Sequence, residues 1–282
     1  MGQQRENRRN HTIKRKKIKS LGLLLLTTFL LFFLISSFNY PPLKREIEKD
    51  VKNFNRKTGT LKTSSTNSKK VNGKVIYLTF DDGPSSATDD ILKTLQEYQA
   101  KATFFMLSPH MQERPDVVKR IVEEGHSLGL HGVTHDVNQF YHSKQTVLGE
   151  MNEAQKVLES ITGIHSVLIR SPYGSVPYLV KPFRKALNAQ GYQIWDWNMD
   201  SRDWDLKNGK YVETVIEQIQ QFEGNDATQP VVLLHDKSNT AKYLPKLLGY
   251  LTKQGFQMKK LDDSIEPVQF KCYDRCHRLD EQ

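Results

Sequence analysis

The chain has 282 residues, 37% hydrophobic and 26% charged, with a net charge of +9. Eight basic residues before Leu21 stand against the single acid Glu6, so +7 of that charge sits in one tail and only +2 is left downstream. The basic balance is therefore no nucleic-acid footprint, which needs a basic stripe with exposed aromatics on the folded part. The two cysteines, Cys272 and Cys276, also exclude a fold that depends on a disulfide framework.

In chain order, residues 1–20 read as a basic cytoplasmic tail. Residues 21–38 (LGLLLLTTFLLFFLISSF) carry no charge and no proline, about the minimum apolar length for a membrane span. A secretory signal is the competing reading, since it too begins basic and turns apolar. The apolar run is long for a signal core, and Ser-Ser-Phe-Asn-Tyr is a poor cleavage site, so an uncleaved anchor is expected. Under either reading, positive charge on the cytoplasmic side places the remaining chain outside. The expectation is a single-pass protein of the cell membrane with an extracytoplasmic body. Residues 39–72 are polar, rich in Lys, Thr, Ser and Asn, and predict a flexible tether. A body over 73–265 and a C-terminal tail over 266–282 complete the chain. Outside the cytoplasm a Cys272–Cys276 disulfide is permitted, and a four-residue spacing can close in a turn.

Within the body, apolar runs of strand length fall at 75–80, 102–107, 126–130, 167–170, 192–197, 231–234 and, more weakly, 256–261. Between them lie helical patterns at 88–98, 114–124, 143–161, 178–190, 212–222 and 241–253. Strands alternating with helices predict an α/β fold with a parallel sheet. Seven strands and six helices fit a closed or nearly closed barrel better than a doubly wound open sheet, the alternative.

Polar clusters follow the strands. Asp81-Asp82-Gly83 follows the first, His131 and His135 the third, Arg170-Ser171-Pro172-Tyr173-Gly174 the fourth, Asp200 to Trp204 the fifth and His235-Asp236 the sixth. In a parallel barrel all of these ends open on one face, where active sites are built. Each cluster also has a bland reading. Asp-Gly with Pro84 is ordinary turn chemistry, His-x-x-x-His arises by chance, and His235 on a buried strand can be purely structural. Two adjacent carboxylates leaving a buried strand repel unless something such as a metal takes one of them. In a helical turn His131 and His135 would share one face, and two His with one Asp leave positions open, as catalytic zinc does. The set suits iron or cobalt equally. Arg170 and Asp203 are either a plain buried pair or orienting partners, Arg170 for the free carboxylate and Asp203 for an imidazole acting as general acid. Of Trp195, Trp197 and Trp204, two read as core and Trp204 stays open as a sugar platform.

In sequence order, Thr-Phe-Asp-Asp-Gly, His-x-x-x-His, Arg-x-Pro-Tyr, Asp-x-x-Asp-Trp and Leu-x-His resemble the polysaccharide deacetylase family, also called the NodB homology domain or carbohydrate esterase family 4. The resemblance spans about residues 74–261. It implies an irregular (β/α) barrel of about seven parallel strands. It also implies removal of N-acetyl groups from the sugars of a polysaccharide, peptidoglycan foremost. The implied cofactor is a divalent metal, zinc foremost, with cobalt, manganese, nickel or iron as alternatives. By the same resemblance Asp81 is the general base, Asp82, His131 and His135 are the metal ligands, and Arg170 holds Asp81. Tyr173 lends a backbone N–H to the oxyanion, Asp203 partners the general acid His235, and Leu233 lines the acetyl pocket. Tyr173 and Trp204 are the remaining substrate-contact candidates. The expected partners are a glycan and, through residues 21–38, the membrane, with no nucleic acid; oligomeric state leaves no signal. Gly132 departs from the family, which often has Ser after the first histidine, and a supporting hydrogen bond is expected to be missing there. Competing readings are an O-acetyl esterase and a glycan-binding module without turnover.

Overall fold

The longest strand, β1 (Lys74–Gly83), is the axis on which the rest is assembled. It lies in a computed structural model that describes residues 74–222 and 229–279. The tail, anchor and tether expected over residues 1–72 lie outside the described residues. Among the described residues no helix is long and apolar enough to cross a membrane.

From β1 the chain continues through α1 (Thr88–Glu97), β2 (Thr103–Met106), α2 (Ser108–Glu113), α3 (Pro115–Glu123) and β3 (Ser127–Leu130). There follow α4 (Val137–Phe140), α5 (Lys144–Thr162), β4 (Leu168–Ile169), α6 (Lys181–Ala189), β5 (Gln193–Ile194) and β6 (Met199–Asp200). The last elements are α7 (Lys210–Gln221), β7 (Val231–His235), α8 (Ser238–Lys253) and β8 (Phe256–Lys259). Every strand pairing is parallel, in the order β5-β4-β3-β2-β1-β7-β6, with β8 also against β1.

The two ends of that order, β5 and β6, are consecutive in the chain. The Trp195 N–H donates to Ile169 O beside β4 (2.8 Å), while Asn198 N–H reaches Val231 O and Ser201 N–H reaches Leu233 O on β7 (3.2 and 3.3 Å). One extended segment thus joins both edges and closes the sheet into an irregular barrel. The strand expected over 192–197 is reduced by this task to β5, and β6, which was not expected, follows it, so there are eight strands where seven were expected. The barrel reading holds over the doubly wound one.

Side chains alternate along each strand. Ile76, Leu78, Phe80, Phe104, Leu130, Ile169, Val232 and Leu234 face outward into the core beneath the helices. Tyr77, Phe105, Leu168, Trp195, Val231 and Leu261 fill the barrel interior. Gly129 on β3 has no side chain for a packing reason: a Cβ there would collide with the Phe105 ring. The predicted helices are present with shifted ends. Pro182 in the first turn of α6 delays its start to Lys181, and α8 begins three residues early at Ser238. The short helices α2 and α4 were not expected. Beyond β8, residues 266–279 pack on the barrel: Asp196 N–H donates to Val268 O (2.7 Å), and Phe270 packs edge-on to Trp197 at 4.9 Å. Cys272 and Cys276 form a disulfide in this segment.

Candidate active site

Adjacent residues on a strand point to opposite faces, yet both aspartates reach one site. The reason is a bulge: across β1 and β2, Asp81 pairs with Phe105 and Gly83 with Met106, so Asp82 is the extra residue. Asp82 takes φ 70°, which turns its carboxylate back to the rim. His131 Nε2 consequently lies 3.9 Å from Asp81 Oδ2 and 3.5 Å from Asp82 Oδ1, and His135 Nε2 lies 3.4 Å from the same Asp82 oxygen. His110 donates from Nδ1 to the Asp82 carbonyl at 2.6 Å and braces the bulge.

The two imidazoles are not presented by a helical turn, as the spacing suggested. His131 follows β3 directly, and His135 ends an irregular loop at φ 49°. His131 Nδ1 donates to the Arg170 carbonyl at 2.7 Å, which orients the ring with Nε2 facing the carboxylates. The donor set fits a divalent ion. The ligand atoms of Asp82, His131 and His135 lie within 4.8 Å of one another. Asp82 Oδ1, faced by both imidazoles, is buried and has no hydrogen-bond partner. Burial pushes the Asp82 carboxyl up, but the charges of His131, His135, His235 and Lys237 outweigh it and hold it below its ordinary range. Burial and the neighbouring His131 push His135 down, toward the neutral, ligating form.

Asp81 is buried and is held on its other side by Arg170, whose Nη1 donates to Asp81 Oδ1 (2.8 Å) and to Thr79 Oγ1 (2.7 Å). Arg170 Nε and Nη2 are taken by the carbonyls of Trp195 (3.1 Å) and Asp196 (3.0 Å). Its guanidinium sits 4.2 Å from the centroid of the Phe105 ring, and that ring occupies the space Gly129 leaves free. Four of the five N–H donors on this fully buried cation are engaged, and all three nitrogens take part. The plain-pair reading is thus too small for it.

His235 ends β7 beside the aspartates. Its Nδ1 donates to Asp203 Oδ1 at 2.7 Å, while Asp203 Oδ2 accepts the His235 backbone N–H (2.8 Å) and the Thr240 hydroxyl (2.5 Å). Burial pushes His235 down, but the Asp203 hydrogen bond and the charges of Asp203, Asp81 and Asp82 prevail and raise it. Asp203 engages the proton on Nδ1, which leaves Nε2 as the ring nitrogen free to exchange one.

Around this centre the substrate candidates divide. Tyr173 (58% exposed) and Trp204 (56%) are solvent-facing, whereas Trp195 is fully buried. The Tyr173 ring lies 4.6 Å from that of His135, and its hydroxyl donates to the His135 carbonyl at 3.1 Å. Leu233 is buried two residues before His235, on the same inner face of β7. The sequence did not single out Thr79, Tyr141, Asp196 or Thr240. Thr79 had a signal, a hydroxyl within an apolar strand. Tyr141, whose hydroxyl lies 2.8 Å from the Pro172 and Gly174 carbonyls, had none.

The sequence model of the family described as polysaccharide deacetylase matches residues 68–195. The chain is 44% identical over 196 residues to the putative polysaccharide deacetylase YheN of Bacillus subtilis, covering 69% of this chain and 70% of that one. It is 39% identical over 201 residues to a peptidoglycan-N-acetylglucosamine deacetylase of Bacillus cereus, covering 70% and 73%. In structure it resembles the crystallised polysaccharide deacetylase Bc1974 of Bacillus cereus, with a TM-score of 0.64 and 34% identity over 70% of this chain and 97% of that one.

Proposed function

This chain belongs to the polysaccharide deacetylase family, and we propose that it is a metal-dependent N-deacetylase acting on peptidoglycan. The observation that carries the reading is the meeting, on one barrel rim, of the Asp82–His131–His135 donor set with two separately tuned proton-transfer groups, Asp81 with Arg170 and His235 with Asp203. Relatives named as peptidoglycan-N-acetylglucosamine and peptidoglycan-N-acetylmuramic acid deacetylases support the choice of polymer.

A divalent ion held by Asp82, His131 and His135, zinc foremost, would polarise the acetyl carbonyl and acidify a water. Asp81, aimed by Arg170, which Thr79 in turn holds, takes the proton of the attacking water as general base. The Tyr173 backbone N–H supports the oxyanion. Leu233, below His235, receives the acetyl methyl. His235 delivers its Nε2 proton to the departing nitrogen while Asp203 stabilises the imidazolium. The products are a free sugar amine and acetate. Tyr173 and Trp204 provide aromatic faces at the mouth for neighbouring sugars.

The test is incubation of the zinc-loaded full-length protein with purified peptidoglycan, followed by acetate assay and mass analysis of the muropeptides. Loss of one acetyl mass from a sugar carrying a free amine is expected. Acetate from O-acetylated xylan alone would replace the amidase reading by an esterase, and no acetate from any glycan would replace it by a binding module.

Location is part of the same proposal. The apolar run 21–38 behind eight basic residues supports a single-pass anchor with the enzyme outside. Protease added to intact spheroplasts should release an active fragment that begins within residues 39–72. Untreated protein found in the medium with its N-terminus near Asn39 would overturn the anchor and leave the enzyme reading standing.

A further inference from the structure

Two of the three candidate ligands sit on the loop from His131 to His135, which is neither helix nor strand. The loop must hold two left-handed positions at once, Gly132 at φ 92° and His135 at φ 49°. Backbone hydrogen bonds hold only its start, His131 N–H to Met106 O and Ser108 N–H to Gly132 O (both 2.9 Å); among the described residues none holds Val133 to His135, so the placement of the second imidazole against the first needs another source.

That source is a side chain from the second turn of α5. Glu150 Oε2 accepts the backbone N–H groups of Val133 (2.9 Å) and Thr134 (3.0 Å), and Glu150 Oε1 accepts the Thr134 hydroxyl (2.7 Å). One carboxylate thus takes three donors from the middle of the loop, between the two ligands. The helix beneath it is well anchored: Ser143 and Thr146 form a capping box, and Val147, Met151 and Ala154 are buried in the core. The loop continues outward through Thr134 Oγ1, which accepts the Asp136 N–H (3.3 Å), and Asp136 caps α4 by accepting the Gln139 N–H (2.9 Å).

Gly132 belongs to the same arrangement. A Cβ there would stand 3.1 Å from Glu150 Oε2 and 3.2 Å from Phe140 Cε2. The bare backbone leaves room for the carboxylate, and the support expected to be missing at position 132 comes instead from α5.

We propose that Glu150 is a positioning residue for the metal, setting the separation of His131 and His135 before any ion arrives. It touches neither substrate nor reacting atom. The proposal rests on the metal reading of the site. Groups that orient ligands without touching the ion typically alter metal affinity by about 10–100-fold.

The experiment is calorimetric titration of the full-length chain in detergent with Zn²⁺ alone, for wild type, Glu150→Gln and Glu150→Ala, with thermal melts of each metal-free protein. Zinc affinity should fall about 10–100-fold in Glu150→Ala. Glu150→Gln, which keeps one acceptor oxygen, should fall between that variant and wild type. Acetate release in both should recover at excess zinc, because the ligands themselves are intact. Zinc affinity within twofold of wild type in either folded variant would overturn the proposal, and a lowered metal-free melting temperature beside it would show Glu150 to be scaffold only. The isosteric Glu150→Gln keeps the test decisive if Glu150→Ala does not fold. Failure of the wild-type protein to bind zinc would instead bring down the metal reading, and this proposal with it.

Discussion

Replacing Asp203 with Asn changes one charge while keeping the shape of the side chain. In the native protein Asp203 accepts from His235 Nδ1, from the His235 backbone and from Thr240. Burial lowers the proton affinity of His235, and the hydrogen bond and charge of Asp203 are the two strongest forces opposing that burial. The substitution removes the charge and leaves the burial, so the proton affinity of His235 falls. Each unit of that fall costs about 1.4 kcal/mol of imidazolium stabilisation, or tenfold in the protonated fraction on the alkaline side.

General acid catalysis is worth about 10²–10⁴-fold, and that range bounds the loss. For Asp203→Asn we expect kcat/KM at pH 8 to drop about 10²–10³-fold, with a smaller drop at pH 6 where the weakened imidazole still carries its proton. The alkaline limb of the pH–rate profile should move to lower pH. Acetate release measured from pH 5.5 to 9 at saturating zinc reads this directly, with zinc content and melting temperature as controls. An alkaline limb that stays in place would refute the assignment of His235 as the acid oriented by Asp203. So would a pH-independent loss that tracks lost zinc or lost fold.

Ligand and base should separate by function: His135→Ala loses zinc and activity together, whereas Asp81→Asn keeps zinc and loses about 10²–10⁴-fold in rate. Zinc retained in the first or lost in the second, by elemental analysis, would show the ligand and base roles to be misassigned. His126, away from the site, contributes to acid lability. Burial, then the charges of Lys101 and Lys260, push it from 6.5 down to about 4, and its Nδ1 accepts the Ala102 N–H at 3.1 Å. The unfolded chain takes this proton near pH 6.5 and the folded one only near 4, so the stabilisation is complete above 6.5 and lost as the pH falls toward 4. Melts in chelator at pH 8 and pH 5 should differ by about 2 kcal/mol on this account. His126→Gln, which can still accept from Ala102, should remove that part of the slope; an unaltered slope would contradict it.

The strands of four or more residues were legible because burial on one or both sides writes a long apolar run. The elements missed, β6, α2 and α4, have two, six and four residues, too short for a period to show. The candidate ligands were legible as residue types, but the way they converge was not. Asp-Asp-Gly does not announce a bulge, and His-x-x-x-His reads alike whether a helical turn or a clamped loop presents it. Thr240 and Glu150 had no local signal. Their importance lies in contacts with Asp203 and with residues 133 and 134, elements that only the fold brings together.

Asp196 shows how far the site and the fold are one object. It sits in Ile-Trp-Asp-Trp, an apolar stretch where a carboxylate looks out of place, and it is fully buried. Its side chain accepts the Ser175 N–H (2.9 Å), the Ser175 hydroxyl (2.5 Å) and the Phe270 N–H (2.7 Å). A buried carboxylate with three donors is satisfied, whereas leaving any of those donors unpaired costs about 1–3 kcal/mol. Its backbone carbonyl accepts Arg170 Nη2, so the group that orients Asp81 hangs from the same segment that closes the barrel. Residues 266–279 enter the network through Val268 and Phe270, which ties the C-terminal segment to a guanidinium deep in the barrel. The segment between β5 and β6 lacks a continuous ladder partner, and this polar network takes the ladder's place. Barrel closure and the orientation of Asp81, the proposed base, are therefore held by one set of hydrogen bonds.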